Sequence, residues 1–124
     1  GKRSTAEKVF YDALKEAEKQ TKEKGIEVFE KALENAAPMI EVVSRRVGGA
    51  NYQVPMEVTP ERKFVLASRW SIGAARSKKG KPMSRKLAEE FIAANKNEGA
   101  AIKKKQDTHR MAEANRAFAH FARR

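Results

Sequence analysis

Residues 43 to 58, VSRRVGGANYQVPMEV, set a glycine pair between two runs of alternating side chains, which leaves the backbone little choice. Ile40, Val42, Ser44 and Arg46 fall on one side of the first run, and Glu41, Val43, Arg45 and Val47 on the other. After the glycines, Tyr52, Val54, Met56 and Val58 share a face. Gly48 and Gly49 supply two adjacent positions that take positive φ without steric cost, as a tight hairpin turn requires, and Asn51 tolerates that region nearly as well. Residues 40–58 are therefore predicted to form a two-stranded ribbon with Arg45 and Arg46 near its tip. A ribbon of this kind buries little by itself, so its base must dock on helices.

The rest of the chain reads with helical periodicity. Ser4 and Glu7 have the spacing of a capping box, and Val9, Phe10, Ala13, Leu14 and Ala17 form an apolar stripe that predicts a first helix to about Lys22. Gly25 breaks the pattern ahead of a second stripe, Val28, Phe29, Ala32, Leu33 and Ala36, which ends before Pro38. Thr59 offers an N-cap, Pro60 a first-turn proline and Glu61 the negative charge favoured there, opening a third helix through Leu66, Trp70 and Ala74 to near Ser77. Ser84 is the expected cap of a fourth, with Leu87, Ala88, Phe91 and Ile92 on its apolar side. Gly99 separates it from a last helix carrying Ile102, Met111, Ala114, Phe118 and Phe121. The fold class is mainly α: about five helices in a single domain over residues 1–124, with one protruding two-stranded antiparallel β-ribbon at about 40–58. There is no internal repeat and no βαβ alternation.

A chain of 124 residues, 40% hydrophobic, fits one domain with a modest core. It has no cysteine, so disulfides and thiolate metal sites are excluded. His109 and His120 lie eleven residues apart on one expected helix, about three turns, too far to share a metal. No apolar run reaches the length of a membrane span, and the basic N-terminus is not followed by the apolar stretch of a signal peptide, so a soluble cytoplasmic protein is expected. The glycine pair lacks the GxxxxGK[ST] spacing of a phosphate-binding loop. No nucleophile stands with an acid or base, and no carboxylate or His/Cys constellation has metal spacing. Catalytic, cofactor-binding and metal-ligating residues are accordingly all expected to be none, and the protein is expected not to be an enzyme.

The formal net charge of +11 points to a polyanionic partner, and its distribution is more telling than its sum. Residues 1–40 hold eight basic and eight acidic side chains, residues 41–81 nine and three, and residues 82–124 ten and five. The excess begins at the ribbon, which implies one basic face. Arg45 and Arg46 alternate across the ribbon and can reach opposite sides with planar donors suited to phosphate. Arg62, Arg69 and Arg76 recur every seven residues, within about 20° per step of one face of the third helix, with Lys63 beside them. Lys78, Lys79 and Lys81 extend the field in an exposed loop, SKKGKP. Lys103, Lys104 and Lys105 open the last helix, where cations oppose the helix dipole unless an anion compensates. Trp70 belongs to the stripe of Leu66 and Ala74 and is read as core, whereas Tyr52 stays open between covering the ribbon base and contacting RNA. Met83, just after the basic loop, either anchors that loop or touches RNA.

The string SRRVGGANYQVPMEV, the helix start Thr59-Pro60-Glu61-Arg62, the opening GKRSTAEK and the tail MAEANRAFAHF closely resemble the family of the seventh protein of the bacterial small ribosomal subunit. The resemblance runs the length of the chain. It implies a mostly helical protein with a β-ribbon arm, without enzymatic activity, that binds small-subunit ribosomal RNA of the head early in assembly beside neighbouring small-subunit proteins. It also implies an arm near the exit-site transfer RNA and the message, and, in some members, repression of the protein's own message. Carried onto matching positions, the RNA-binding surface takes in Lys2 and Arg3, Arg45 and Arg46, Arg62, Arg69 and the basic loop before Met83. The family usually has a basic arm and a further helix ahead of the segment matching Gly1, so the expectation is a piece of a longer protein. The ending AHFARR also departs from the family's common aromatic terminus. The alternative reading is a basic DNA-architectural or general nucleic-acid-binding protein whose ribbon enters a groove.

Overall fold

Alanine occupies most of the buried helical positions, and that choice sets how closely the helices pack. In the computed structural model, which describes residues 3–115 apart from the side chains of Val47 and Tyr52, the order is α1 (Arg3–Thr21), α2 (Gly25–Ala36), β1 (Ile40–Val47), β2 (Ala50–Glu57), α3 (Pro60–Ser77), α4 (Met83–Asn95) and α5 (Ala100–Ala114). The fold is mainly α with a single two-stranded ribbon among the described residues, as the periodicities indicate. α4 packs against each of the other four helices. Ala13 and Ala17 of α1, Ala32 and Ala36 of α2, Ala67 and Ala75 of α3, Ala88 and Ala94 of α4 and Ala101 of α5 are all buried in one cluster with Val28, Leu87, Phe91 and Ile102. Such small side chains let helix axes approach toward the short end of the usual ~8–10 Å range. Bulk comes from Phe10, Phe29 and Phe91, whose rings meet edge to face with centroids 5.0 Å apart for Phe10–Phe29 and Phe29–Phe91. Trp70 packs against the same cluster, in agreement with its place in the stripe.

Several element boundaries differ from the sequence reading. Ser4 is inside α1 rather than capping it, and Glu7 accepts from Arg3 Nε at 3.0 Å instead of reaching back to the backbone. The break between α1 and α2 falls at residues 22–24, with Lys22 at φ +63, while Gly25 begins α2. Its role is contact: a Cβ there would lie 2.3 Å from the Leu14 carbonyl oxygen. Ser84 does not cap α4, because that helix already starts at Met83 with Pro82 in the cap position. The ring of Pro82 holds φ at −60° and its carbonyl accepts from Lys86, so the helix begins two residues earlier than a Ser84 cap would place it. After α4, Asn97 takes the left-handed turn (φ +60°), and Gly99 (φ +97°) is the residue leading into α5. On α5 the buried side is Ala101, Ile102 and Ala112, whereas Met111 and Ala114 are exposed. At about 100° per residue, Ala101, Ile102 and Ala112 fall within one arc of the helix, and Met111 and Ala114 fall outside it. Phe118, His120 and Phe121 lie outside the described residues.

Thr59 caps α3 as expected, its Oγ1 accepting from the Arg62 amide at 3.3 Å with Pro60 following. The ribbon also follows its pattern. Val47 pairs with Ala50, leaving Gly48 and Gly49 (φ +58° and +86°) as a two-residue turn in which both positions are left-handed. Val43 faces Val54 and Glu41 faces Met56 on the side that docks, where Val54 is fully buried. The opposite side, with Ser44, Arg46, Asn51 and Gln53, is exposed.

Four bonds hold the ribbon base and the segment before it. The Met39 amide donates to His109 Nε2 of α5 at 2.9 Å, and the Met39 carbonyl accepts from the Val58 amide at 3.1 Å. Lys63 Nζ approaches Met39 Sδ at 3.5 Å. Lys105 Nζ donates to the Asn35 carbonyl at 2.9 Å.

Two outcomes follow for stability. Gly25→Ala is expected to destabilise the chain by about 1–3 kcal/mol, the range for a group forced into filled space. Gly73→Ala, whose added methyl meets nothing within 4 Å, should stabilise α3 by about 0.5–1 kcal/mol. Denaturant midpoints at constant slope check both. His109 must stay neutral to accept the Met39 proton, and burial, with Lys105 nearby, lowers its pKa from the usual value. The unfolded chain thus takes up the proton first, so this contribution is complete above the unfolded pKa of about 6.5. It is lost as pH falls below that and through the lowered folded value. Thermal midpoints from pH 8 to 5 should fall less steeply in His109→Gln than in the parent.

Candidate nucleic-acid interface

The expected basic residues fall into groups with different surroundings. On the ribbon, Arg45 and Arg46 are exposed on opposite faces, and neither makes an ion pair among the described residues. Alternation along the strand produces this split, and the tight turn puts both within two residues of the tip. Arg69 on α3 is likewise exposed and makes no ion pair among the described residues. Arg76 is exposed at the edge of an apolar groove of about 530 Å³ formed by side chains that include Phe10, Phe29, Phe64, Ile72 and Phe91. Among the described residues Arg76 is the only charged one lining that groove, and they offer no acid–base pair there.

Other members of the set are engaged within the protein. Arg62 Nε lies 3.2 Å from Glu41 Oε2, which ties the start of α3 to β1. Arg3 is paired with Glu7 at the outset of α1. Lys63 is half-buried against Met39, and Lys105 is drawn inward to the Asn35 carbonyl. Lys103 and Lys104 remain exposed on the first turns of α5. Lys2 lies outside the described residues.

The loop between α3 and α4 corrects the expectation of three exposed lysines. Lys78 is half-buried, with Nζ 3.0 Å from Glu90 Oε1 and 3.3 Å from Glu89 Oε2. Lys81 Nζ pairs with Glu89 Oε1. Lys79 alone of the three stands exposed without an ion pair among the described residues, beside Gly80 at φ +84°. Burial works to lower the Lys78 pKa, but the hydrogen bonds and charges of Glu90 and Glu89 outweigh it and leave it raised. Glu89 is held below the usual carboxylate value, chiefly by the hydrogen bond from Lys81, against the burial that would raise it. Met83 packs on the core cluster, which identifies it as an anchor for this loop.

The sequence reading did not anticipate the contacts of Glu89 and Glu90 with the lysine loop, of the Asn35 carbonyl with Lys105 or of His109 with the Met39 amide. The available signal was two adjacent acids on α4 soon after the lysines. What the chain alone does not display is that α4 runs back along α3, bringing those acids under the loop.

Among the described residues no group of three or more His, Asp or Glu is placed to hold a metal ion, and no helix is long and apolar enough to cross a membrane. What the arrangement offers is cations distributed over a ribbon, a helix face, a loop and a second helix start. That arrangement suits an extended phosphate backbone, for which affinity comes from several charges spread over a surface.

Comparison with known proteins agrees with this geometry. The family described as ribosomal protein S7p/S5e matches residues 1–116. The small ribosomal subunit protein uS7 of Fervidobacterium nodosum is 59% identical, over 98% of this chain and 78% of the relative. That of Cytophaga hutchinsonii is 58% identical with the same coverage, and that of Rhodopirellula baltica 60% identical over 98% of this chain and 79% of the relative. With the family matched over residues 1–116 and relatives of 58–60% identity spanning 98% of its length, the chain belongs to the S7p/S5e family of ribosomal proteins.

Proposed function

We propose that this chain is a noncatalytic, structural RNA-binding protein of the small ribosomal subunit, acting in the cytoplasm by holding head ribosomal RNA through phosphate and shape contacts. Family membership supports the ribosomal role and the association with ribosomal RNA and neighbouring ribosomal proteins. The observation that carries the residue assignment is that Arg45, Arg46, Arg69, Arg76, Lys79, Lys103 and Lys104 are exposed and make no ion pair among the described residues. These are the direct phosphate ligands in this reading. Arg62, Lys63, Lys78, Lys81 and Lys105 contribute through the field they add and through the elements they hold, and Lys2 and Arg3 add two further positive charges to that field.

The ribbon belongs to the finer part of the proposal. Its two arginines point to opposite sides, so a ribbon entering RNA can contact phosphates on either flank. We place its tip near the exit-site transfer RNA and the message, and assign repression of its own message to the same surface. A messenger segment that copies the head junction would compete for the same cations.

Selective binding to a head-junction fragment of small-subunit RNA is the expected result, measured over a salt series with unrelated RNA and duplex DNA of equal length as competitors. The double substitution Arg45→Ala/Arg46→Ala should weaken that binding about tenfold near 0.15 M salt. It should also flatten the logarithmic salt slope by about 1.4–1.8, two phosphates' worth, with the melting temperature unchanged. Equal binding to duplex DNA would instead favour the DNA-architectural reading, and an unchanged slope would remove the ribbon arginines from the interface.

A further inference from the structure

Glu90 is the most unusual charge in the molecule. It is 3% exposed, on the second turn of α4, and its two carboxylate oxygens have different surroundings. Oε1 accepts from Lys78 Nζ at 3.0 Å. Oε2 is buried without a hydrogen-bond partner among the described residues. It lies 3.5 Å from the position a Cβ on Gly99 would occupy, beside the start of α5. That start has no side-chain cap, so the amides of its first turn carry uncompensated positive charge. Gly99 is needed there on two counts: its φ is +97°, and an added methyl would stand 3.0 Å from the Ala93 Cβ.

A buried carboxylate is expensive unless cations compensate it, and here the compensation comes from two directions. One side is the ammonium of Lys78 at the end of α3, and the other is the dipole of α5. These two segments bear the two lysine clusters, 78–81 and 103–105, that are far apart in sequence. We infer that Glu90 is a positioning residue that fixes the lysine loop and the start of α5 relative to each other, so that Lys79, Lys103 and Lys104 face RNA in one register. Lys78 is then its internal counter-charge and not a phosphate ligand. Glu89 has the subsidiary part, holding Lys81 and sharing Lys78 so that the loop closes with Lys79 and Gly80 outermost. The inference rests on the RNA-binding reading above for its consequence, but its mechanical content concerns the free protein.

The test has two arms on the full chain. In the free protein, hydrogen exchange is compared between the parent and Glu90→Gln, which keeps the shape and removes the charge. Exchange is expected to rise about tenfold in both the loop at residues 78–82 and the first turn of α5, with the second half of α1 and α2 unchanged. No rise, a rise in one segment only, or a uniform rise over all helices overturns the inference. In the second arm, binding of a head-junction RNA is followed over a salt series at a temperature where each variant is folded. Lys79→Gln should lower the logarithmic slope by about 0.7–0.9, one phosphate's worth, whereas Lys78→Gln should weaken binding with the slope unchanged. A slope lowered by Lys78→Gln as much as by Lys79→Gln overturns it, and this variant carries the test should Glu90→Gln fail to fold. Absence of selective RNA binding by the parent chain would overturn the RNA-binding reading instead, and the exchange arm would still decide the positioning role.

Discussion

The close approach of α1, α2 and α4 across alanine and glycine is the constraint on which the rest depends. With Ala13, Ala17, Ala32, Ala88 and Ala94 at the contacts, the backbones of these helices can come close, and the rings of Phe10, Phe29 and Phe91 lock the three together. Gly25 is the extreme case, where the start of α2 lies so near the Leu14 carbonyl that a methyl does not fit. Close packing of this kind resists small changes in volume, because the neighbours have no rotamers with which to adjust. It gives a rigid platform from a chain with few large apolar residues. On that platform the ribbon, the lysine loop and the start of α5 can each be placed with little freedom.

Charge is organised around the same platform. Acidic residues balance the bases in the first third of the sequence, and past the ribbon the few acids are spent on specific tasks. Glu41 holds Arg62, Glu89 holds Lys81, and Glu90 holds Lys78. Each of these pairs joins two different elements. Arg45, Arg46, Arg69, Arg76, Lys79, Lys103 and Lys104 make no ion pair among the described residues, so the basic surface is shaped as much by where carboxylates are absent as by where lysines and arginines are present.

The elements were legible where a local rule sufficed. The two-residue period and the glycine pair specify the ribbon and its turn, and Thr59-Pro60-Glu61 specifies the start of α3. Where a boundary depends on a neighbour, local rules mislead: Ser4 and Ser84 have cap-like positions that the helices do not use. The stripe through Met111 fails for a similar reason, since the turn of α5 that faces inward is chosen by α3 and the ribbon base. Charge counting found the basic surface because excess charge is a property of composition. It could not separate Lys79 from Lys78, because that distinction arises only when α4 folds back beneath the loop. The contact of His109 with the Met39 amide, seventy residues away, leaves no mark in the sequence at all.

That contact makes the ribbon a lever with a short arm and a long one. Eight residues of strand at about 3.3 Å each project the turn some ~26 Å from the segment that His109 and Val58 grip at Met39. A tilt of about 10° at the base, small enough to arise from one altered hydrogen bond, would sweep Gly48 and Gly49 through roughly 4–5 Å by the same geometry. That displacement is comparable with the spacing between neighbouring strands and far exceeds the tolerance of a phosphate contact. The position of the two arginines is therefore set on the body of the protein, where an imidazole holds the base of the ribbon.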